Sequence, residues 1–287
     1  MRLLVEPSFK DSNIFNISKS VILSLVDYSV QGFCYYTLDE IIDIKNKYKD
    51  LEIFVSLNKN FLNHEVEGLK EVLIKLNDIG ISGVFFYDLV VLQLKKELNL
   101  DIELVWNQTH MVNNYRTCDY YFDKGVKFAL LGKEITLEEI IEISNKSKIN
   151  CMVEVVSLPS VAFSRRKLIT NYFADMGMPS KSSLIVHEKV SDKDYELLEN
   201  RDGTSFFIKE VMNGTGVIKT LYDNNVKYII MREFGIDKEL FNELVIDTNK
   251  YIHDGCVSEE YVSKYTKLGD STNFFFKKTI YKVKKNG

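Results

Sequence analysis

Short apolar runs alternate with amphipathic stretches along most of this chain. LEIFVSLN (51–58) has the pattern of a buried strand, and VEGLKEVLIKLNDIG has apolar residues at helical spacing and ends at Gly80. The alternation runs from RLLVEP near the start to KYIIMRE, which precedes a predicted helix over DKELFNELVIDTNKYIH. The pattern predicts a helix over SKSVILSLVDYS and a strand over QGFCYYT, which follows it. About eight strand–helix units fit into residues 1–253.

Strands separated by single helices must pair in parallel, because each crossover places a helix on one face of the sheet. The number of units favours an α/β fold of the (β/α)8 TIM-barrel type over a doubly wound sheet. The rhythm breaks at residues 177–215, where Pro179 and a serine cluster precede two alternating runs around the turn signal NRDG. We therefore predict a barrel over residues 1–254, with a β-hairpin inserted before the last strand at 177–215, and a C-terminal extension over 255–287.

Composition narrows the class of protein only moderately. With 45% hydrophobic and 27% charged residues, the chain resembles ordinary globular proteins. The net charge of -4 argues against binding to nucleic acid or anionic membranes by overall charge alone. No apolar run reaches the roughly 18 residues that a membrane-spanning helix needs, and the N-terminus turns polar too early for a secretory signal. We expect a cytoplasmic protein that does not bind membranes.

Polar residues follow the predicted strands at the points where a barrel of this kind carries its functional site. They are Asn58, Asp88, Gln108, Glu134, Glu154 and Glu233. A carboxylate in this position must be solvated, hydrogen-bonded or paired, because burying it alone is costly. For any one residue the pattern does not separate a pocket side chain from a helix cap. As a set they mark the pocket, and we expect Asn58, Asp88, Gln108, Glu134 and Glu154 to point into one barrel mouth. Zincin, α/β-hydrolase and P-loop motifs are absent from the sequence.

The segment SRRKLITNYF begins a predicted helix with Ser164 as its cap and two arginines in its first turn. Arginines there oppose the helix dipole. In one interpretation, Arg165 and Arg166 bind a phosphate or carboxylate at the barrel mouth and lie within reach of Glu134 or Glu154. In the other, they are surface residues that pair with acidic residues of the chain itself.

Several motifs together resemble one known family. They include Gln108, Thr109 and Asn113 in the order Q-T-x-x-x-N, and the stretches GVKFALLGKEITLEEIIEI, SRRKLITNYF and DGTSFF. Over most of residues 30–250 the chain is similar to the collagenase-like peptidase family, the unassigned-type peptidase family thirty-two. The resemblance implies a (β/α)8 barrel. The family is named for proteolysis, and other members serve oxygen-independent or prephenate-dependent hydroxylation of transfer RNA, ribosomal RNA or quinone precursors.

Several of those members carry an iron–sulfur cluster on four cysteines, but the matching positions differ here. Family members read E-V-x-V-H-G-x-x-C before the S-R-R segment, and this chain has Val156, Ser157 and Ser160 at the histidine, glycine and cysteine positions. Valine and serine do not provide thiolate ligands. The four cysteines of the chain are scattered without a C-x-x-C pair. We therefore expect no iron–sulfur cluster and predict no cofactor, leaving a divalent metal open.

The sequence thus supports two functions. The first is a peptidase of the collagenase-like family with an uncharacterised pocket, and the alternative is an enzyme of tRNA or rRNA hydroxylation or a non-catalytic partner of a paralogous member. The candidate catalytic residues are Glu134, Glu154 and Asp88. The candidate substrate-binding residues are Asn58, Gln108, Asn113, Arg165, Arg166, Asn171 and Tyr172. The expected partners are a small anionic ligand or peptide in the barrel mouth, a paralogous subunit, and RNA only as part of a complex.

Overall fold

Eight parallel strands form a closed barrel with helices between them, which confirms the predicted (β/α)8 fold. The computed structural model describes residues 1–108, 111–190, 192–255, 258–270 and 275–276. With strands numbered along the chain, the barrel strands are β1 (Arg2–Glu6), β2 (Ser20–Leu25), β4 (Glu52–Leu57), β5 (Gly83–Phe86), β6 (Glu103–Trp106), β7 (Phe128–Leu130), β8 (Asn150–Ser157) and β14 (Tyr228–Arg232). The Val5–Val21 pair between β1 and β2 closes the barrel.

Helices cover the outside of the barrel. They are α1 (Ile14–Ile17), α2 (Leu38–Lys47), α3 (Val66–Asp78), α4 (Leu89–Glu97), α5 (Tyr115–Asp123), α6 (Leu137–Lys146), α7 (Leu168–Asp175), α8 (Ile218–Asp223), α9 (Lys238–Asp254) and α10 (Glu259–Tyr265). Short 3-10 turns cover Asn63–Glu65, Thr215–Val217 and Thr266–Leu268. One apolar cluster fills the barrel, with Phe54 and Phe85 among its members, and a larger one lies between strands and helices. Strands buried on both faces explain the continuous apolar runs in the sequence.

The stretch SKSVILSLVDYS is a strand and not the predicted helix. All six residues of β2 are buried, because the strand faces the barrel interior on one side and helices on the other. An apolar run of this length fits a buried helix as well as a buried strand, so its pattern alone does not separate the two. Within QGFCYYT only Tyr35 and Tyr36 form a strand, the short β3, which pairs with β2 outside the barrel.

The inserted segment is larger than the predicted hairpin. It forms a four-stranded antiparallel sheet in the order β10-β11-β12-β9, which we call the small sheet. Its strands are β9 (Ser160–Ser164), β10 (Ser183–Glu188), β11 (Lys193–Asn200) and β12 (Gly203–Ile208), and β13 (Met212–Asn213) then pairs with β8. The predicted NRDG turn joins β11 to β12, while β9 and β10 come from sequence that lacks a comparable turn signal. At Gly203, where φ is 145°, an added Cβ would lie 2.0 Å from the carbonyl oxygen of Ser164.

After the barrel, α9 ends at Asp254 and Gly255 caps it in the left-handed conformation with φ of 65°. Helix α10 follows, and Tyr261 and Tyr265 on it are buried against the larger core cluster. From residue 271 onward, only residues 275–276 of the predicted C-terminal extension lie within the described residues. Across the described ranges, no helix is both long and apolar enough to cross a membrane.

Candidate functional site

A cavity of about 650 Å³ opens at the C-terminal ends of the barrel strands, between them and the small sheet. The barrel contributes residues that follow its strands, such as Asn58, Tyr87 and Asn107. The small sheet contributes Phe163 and Phe207. The volume lies within the range of roughly 300–1,000 Å³ typical of small-molecule sites. The cavity is therefore the candidate functional site.

A buried ion cluster forms the floor of this cavity. We define the floor cluster as Glu6, Glu154 and Arg232, with Lys133 at its upper edge. Arg232 Nε donates to Glu154 Oε2 at 2.8 Å, and its Nη1 pairs with the carboxylate of Glu6. Lys133 Nζ lies 2.5 Å from Glu154 Oε1, which also accepts a hydrogen bond from Ser157 Oγ. The side chains of Glu6 and Glu154 are 3% and 1% exposed, so the cluster is largely removed from water.

The cations in the floor cluster balance its carboxylates. Burial lowers the pKa of Arg232 to about 10, which still leaves the guanidinium charged at neutral pH. Arg232 ends β14, and the two strands that pair with β14 are β1, which ends at Glu6, and β8, which contains Glu154. The barrel register therefore places both carboxylates beside one arginine. Lys133, whose side chain is 23% exposed, is the member with most access to a ligand in the cavity.

Asn107 follows β6 and points into the cavity, where it is 8% exposed. Its Oδ1 is buried and has no hydrogen-bond partner among the described residues. A buried carbonyl oxygen without a partner is costly, which is why such atoms usually mark a ligand or an ordered water. Asn107 thus has an unused hydrogen-bond acceptor buried in the wall of the cavity. Sequence reasoning missed it by one position, because it favoured Gln108.

The predicted residues at the strand ends separate into two groups. Asn58, Glu134 and Glu154 line the cavity, whereas Asp88, Gln108 and Glu233 do not. Glu154 lies within β8 and not after it. Asn58 also has a structural role, since its amide accepts from Val30 N at 2.9 Å and donates to Val30 O at 3.0 Å.

Asp88 bonds to backbone N–H groups, and Gln108 bonds to the Trp106 indole and a backbone carbonyl, which corrects the prediction that they face the mouth. Asp88 caps α4 by accepting from Val90 N at 3.1 Å, and its second oxygen accepts from Phe61 N at 3.0 Å. Gln108 accepts from Trp106 Nε1 at 3.1 Å and donates to Tyr87 O at 2.5 Å. The preceding residues, Tyr87 and Asn107, line the cavity in their place.

The two arginines lie in a bend between β9 and α7 and not in the first turn of the helix. Ser164 belongs to β9 and does not cap α7, since its Oγ accepts from Arg166 N at 3.2 Å. Glu199 takes the place of the predicted cap by accepting from the N–H groups of Ile169 and Thr170. Arg165 is exposed and lines the cavity, while Arg166 is exposed and does not.

The predicted pairing of these arginines with Glu154 is not found within the described part of the chain, because Lys133 and Arg232 occupy the Glu154 carboxylate. Asn171 and Tyr172 lie on the exposed side of α7, outside the cavity lining. Asn113 is half-buried just before α5 and does not line the cavity either. Thr109 of the same motif lies outside the described residues.

The positions that the resemblance matches to the family's histidine, glycine and cysteine provide no ligand for an iron–sulfur cluster in this structure. Val156 is buried in the core, Ser157 donates to Glu154, and Ser160 Oγ accepts from Gln31 Nε2 at 2.6 Å. None of the three carries a thiol. Over the residues that the structure describes, no group of three or more His, Cys, Asp or Glu side chains could hold a metal ion.

The small sheet is attached to the barrel by the loop between β2 and β3, residues 26–34. The ring of Phe33 stacks on Phe234 at 4.1 Å between centroids and lies 4.8 Å from Phe207 of β12. Arg201 in the β11–β12 turn pairs with Asp27 at 2.8 Å. Together with the Gln31–Ser160 hydrogen bond, these contacts hold the small sheet beside the mouth as a wall of the cavity.

Comparison with known proteins gives relatives of two kinds. Over 265 residues the chain is 26% identical to tRNA hydroxylation protein P2 of Bacillus subtilis (strain 168), with 84% of each chain covered. It is also 21% identical to tRNA hydroxylation protein P1 of the same organism over 140 residues. This aligned region covers 48% of this chain and 33% of that protein. Among solved structures, the thiamine phosphate pyrophosphorylase of Pyrococcus furiosus is similar at a TM-score of 0.47 and 10% identity, over 89% of this chain and 97% of that one. A TM-score at this level supports no argument about function.

The sequence model described as Peptidase family U32 matches residues 26–236. This range extends from the β2–β3 loop to just beyond β14 and includes Lys133, Glu154 and Arg232 of the floor cluster. The chain belongs to peptidase family U32.

Proposed function

We propose that this chain acts in tRNA hydroxylation, as an enzyme or as a subunit of a paralogous family member. The observation that carries the proposal is the similarity to tRNA hydroxylation protein P2 along 84% of both chains. A cytoplasmic location is part of the proposal, since tRNA is used there. The barrel mouth is then the binding site for a small anionic ligand or for the target nucleotide.

The cavity has properties that suit this role. Enzymes that modify a base must take it out of its stack and hold it in a pocket, where hydrogen bonds and aromatic side chains recognise it. Asn107 provides a buried acceptor, Phe33 and Phe207 provide rings, and Lys133 provides a cation at the floor. At about 650 Å³ the cavity has room for a nucleotide or a small organic anion.

Within this proposal Glu154 positions other groups and does not transfer protons itself. Each of its carboxylate oxygens already interacts with a cation: Oε1 with Lys133 and Oε2 with Arg232. Glu134 is different, because it is exposed and lies at the rim of the cavity. We therefore assign the Lys133 ammonium to ligand binding and the Glu134 carboxylate to contacts at the rim.

Peptidase activity is the second candidate, and one structural feature favours it. Strand β9 forms an outer edge of the small sheet, and its exposed residues Val161 and Ala162 line the cavity. An extended peptide could pair with such an edge as an added strand. However, the described residues of the lining include neither Cys nor His, and the hydroxyl of Ser157 is bonded to Glu154. Hydroxylation therefore ranks first.

The test is the nucleoside content of tRNA in the source organism. Deletion of the gene should remove a hydroxylated nucleoside, detected by liquid chromatography and mass spectrometry, and the wild-type gene should restore it. Lys133→Ala should restore less than the wild type if the ammonium binds a ligand of the reaction. An unchanged nucleoside profile after deletion would exclude the proposal. Cleavage of a peptide library by the purified chain would instead favour the peptidase.

A further inference from the structure

Positive charge is concentrated in residues 160–190, which contain β9, α7 and β10, and not in the small sheet as a whole, because residues 191–208 contain five Asp and Glu but only two Lys and Arg. Residues 160–190 contain five Lys and Arg but only two Asp and Glu, a net charge of +3 in a chain whose net charge is -4. Three of the five are consecutive, namely Arg165, Arg166 and Lys167. A local excess of one sign in a protein of the opposite sign concentrates electrostatic potential on one surface. The surface is therefore a candidate for binding a polyanion.

The structure brings the fourth cation, Lys181, to the same helix. Ser180 Oγ donates to Thr170 Oγ1 at 3.3 Å, which holds the segment after α7 against the first turn of that helix. Lys181 Nζ then lies 5.8 Å from the ring centroid of Phe173, whose ring is 5.5 Å from that of Tyr172. Arg165–Lys167 precede the helix and Lys181 lies beside it. We call Arg165, Arg166, Lys167, Lys181 and Tyr172 the α7 surface.

The cations of this surface are available to a partner. All four basic residues are exposed, and in the described chain none of them forms an ion pair with a carboxylate. Lys167 Nζ donates to Asn200 O at 2.5 Å, which orients the ammonium without neutralising it. The nearby carboxylate of Glu199 is committed to the helix, since it accepts from Ile169 N and Thr170 N at 2.8 and 3.3 Å.

Tyr172 is the second, independent feature of this surface. It is 50% exposed although it is a large aromatic side chain on a short helix, and its neighbour Phe173 packs into the small core against Leu197. Cations beside an exposed aromatic ring are the combination that binds single-stranded nucleic acid, because cations contact the phosphates and a base stacks on the ring.

We propose that the α7 surface is where an unpaired segment of tRNA binds, with its phosphates on the basic residues and a base stacked on Tyr172. The inference rests on the proposed function and adds to it the surface that contacts the RNA. Arg165 belongs both to this surface and to the cavity lining, so the surface is continuous with the barrel mouth. RNA held on α7 can therefore present one nucleotide to the cavity.

The test is a binding titration of the whole chain, with any paralogous subunit that copurifies, against labelled unfractionated bacterial tRNA over a salt series. The test variant combines Arg166→Ala, Lys167→Ala and Lys181→Ala. The matched control combines Lys19→Ala, Lys49→Ala and Lys227→Ala, three exposed lysines just before β2, β4 and β14, at the opposite end of the barrel. Both variants lose three positive charges, so overall charge does not separate them.

We expect the test variant to bind tRNA more weakly and to reduce the slope of log K against log salt by about 2, since each phosphate contact on a single strand contributes roughly 0.7. The control should keep the wild-type slope. Tyr172→Ala should weaken binding by about tenfold at an unchanged slope, whereas Tyr172→Phe should keep the affinity, because stacking needs the ring and not the hydroxyl. Tyr222→Ala, at a 40% exposed tyrosine on α8, is the aromatic control.

Thermal melting of every variant confirms that the fold is intact before binding is compared. Equal losses in the test variant and the control would overturn the inference, as would a wild-type chain that does not bind tRNA. Neither result decides the proposed function, because the nucleoside analysis of the deletion strain tests tRNA hydroxylation independently of RNA binding. If hydroxylation depends on the gene while the α7 variants bind normally, the function stands and the docking surface lies elsewhere.

Discussion

Replacing Arg232 tests whether the floor cluster holds the barrel mouth together. The Arg232→Leu variant removes the cation that bridges Glu6 and Glu154, which are 3% and 1% exposed. Glu154 keeps Lys133, but no other cation is within ion-pair distance of Glu6 in the described chain. The substitution therefore leaves one buried carboxylate without a cation and weakens the environment of a second.

The expected cost follows from this burial. Removing one partner of a buried pair typically costs about 3–5 kcal/mol of unfolding free energy, because the remaining charge keeps its desolvation penalty. For a chain of this size each 1 kcal/mol lowers the melting temperature by about 2 °C, so the loss amounts to roughly 6–10 °C. The stability of Arg232→Lys should lie between those of the wild type and Arg232→Leu, because a single ammonium cannot reach both carboxylates as the guanidinium does.

The assay is urea denaturation with thermal melting as a second reading. Arg2→Leu is the matched control, because Arg2 pairs with Glu52 at 3.1 Å but is 62% exposed, and such surface pairs contribute less than about 1 kcal/mol. Equal losses in the Arg232 and Arg2 variants would refute this account of the cluster.

Three further predictions concern the cap at α4, the iron content of the protein and the buried thiols. Asp88→Ala should lower the unfolding free energy by about 1–2 kcal/mol in urea denaturation, since two backbone N–H groups lose their acceptor, and an unchanged midpoint would contradict the capping role. Protein purified without oxygen should lack stoichiometric iron and sulfide in metal analysis, because Ser160 provides no thiolate; about four irons per chain would show that other cysteines converge. Burial raises the pKa of Cys118 to about 12 and that of Cys151 to about 11, which keeps both as thiols at pH 8. Mass spectrometry should therefore find slow alkylation of both in native protein and fast alkylation in urea, and fast native labelling would show that they are accessible.

The barrel was predictable because its signal is local and repeated. Each strand is an apolar run, each helix an amphipathic one, and parallel pairing follows from their alternation. The exception, β2, shows the limit of this signal. Its residues are buried on both faces, so the run lacks the polar positions that would separate a strand from a helix. Only the barrel order, in which β2 lies between β1 and β4, resolves the assignment.

The site was predictable only in part, because it depends on direction and on long-range pairing. Asp88 and Gln108 were each one residue away from the side chain that faces the cavity, and the end of a strand cannot be read from one sequence to within one residue. Arg232 was missed although a charge at the end of the apolar run YIIMR was a usable signal. Its partners are Glu154 and Glu6, far away in the chain, and pairing of this kind leaves no local pattern.

By itself the sequence determined the class of fold and the family, because apolar periodicity and short motifs are properties of neighbouring residues. The tertiary structure decided which side chains meet. It joined Arg232 to two carboxylates through the register of β14 with β1 and β8, and it turned Asp88 toward a helix end. It also extended a predicted hairpin into a four-stranded sheet beside the mouth. These outcomes depend on the closure of the barrel, which brings distant strand ends to one rim and fixes the direction of each side chain there.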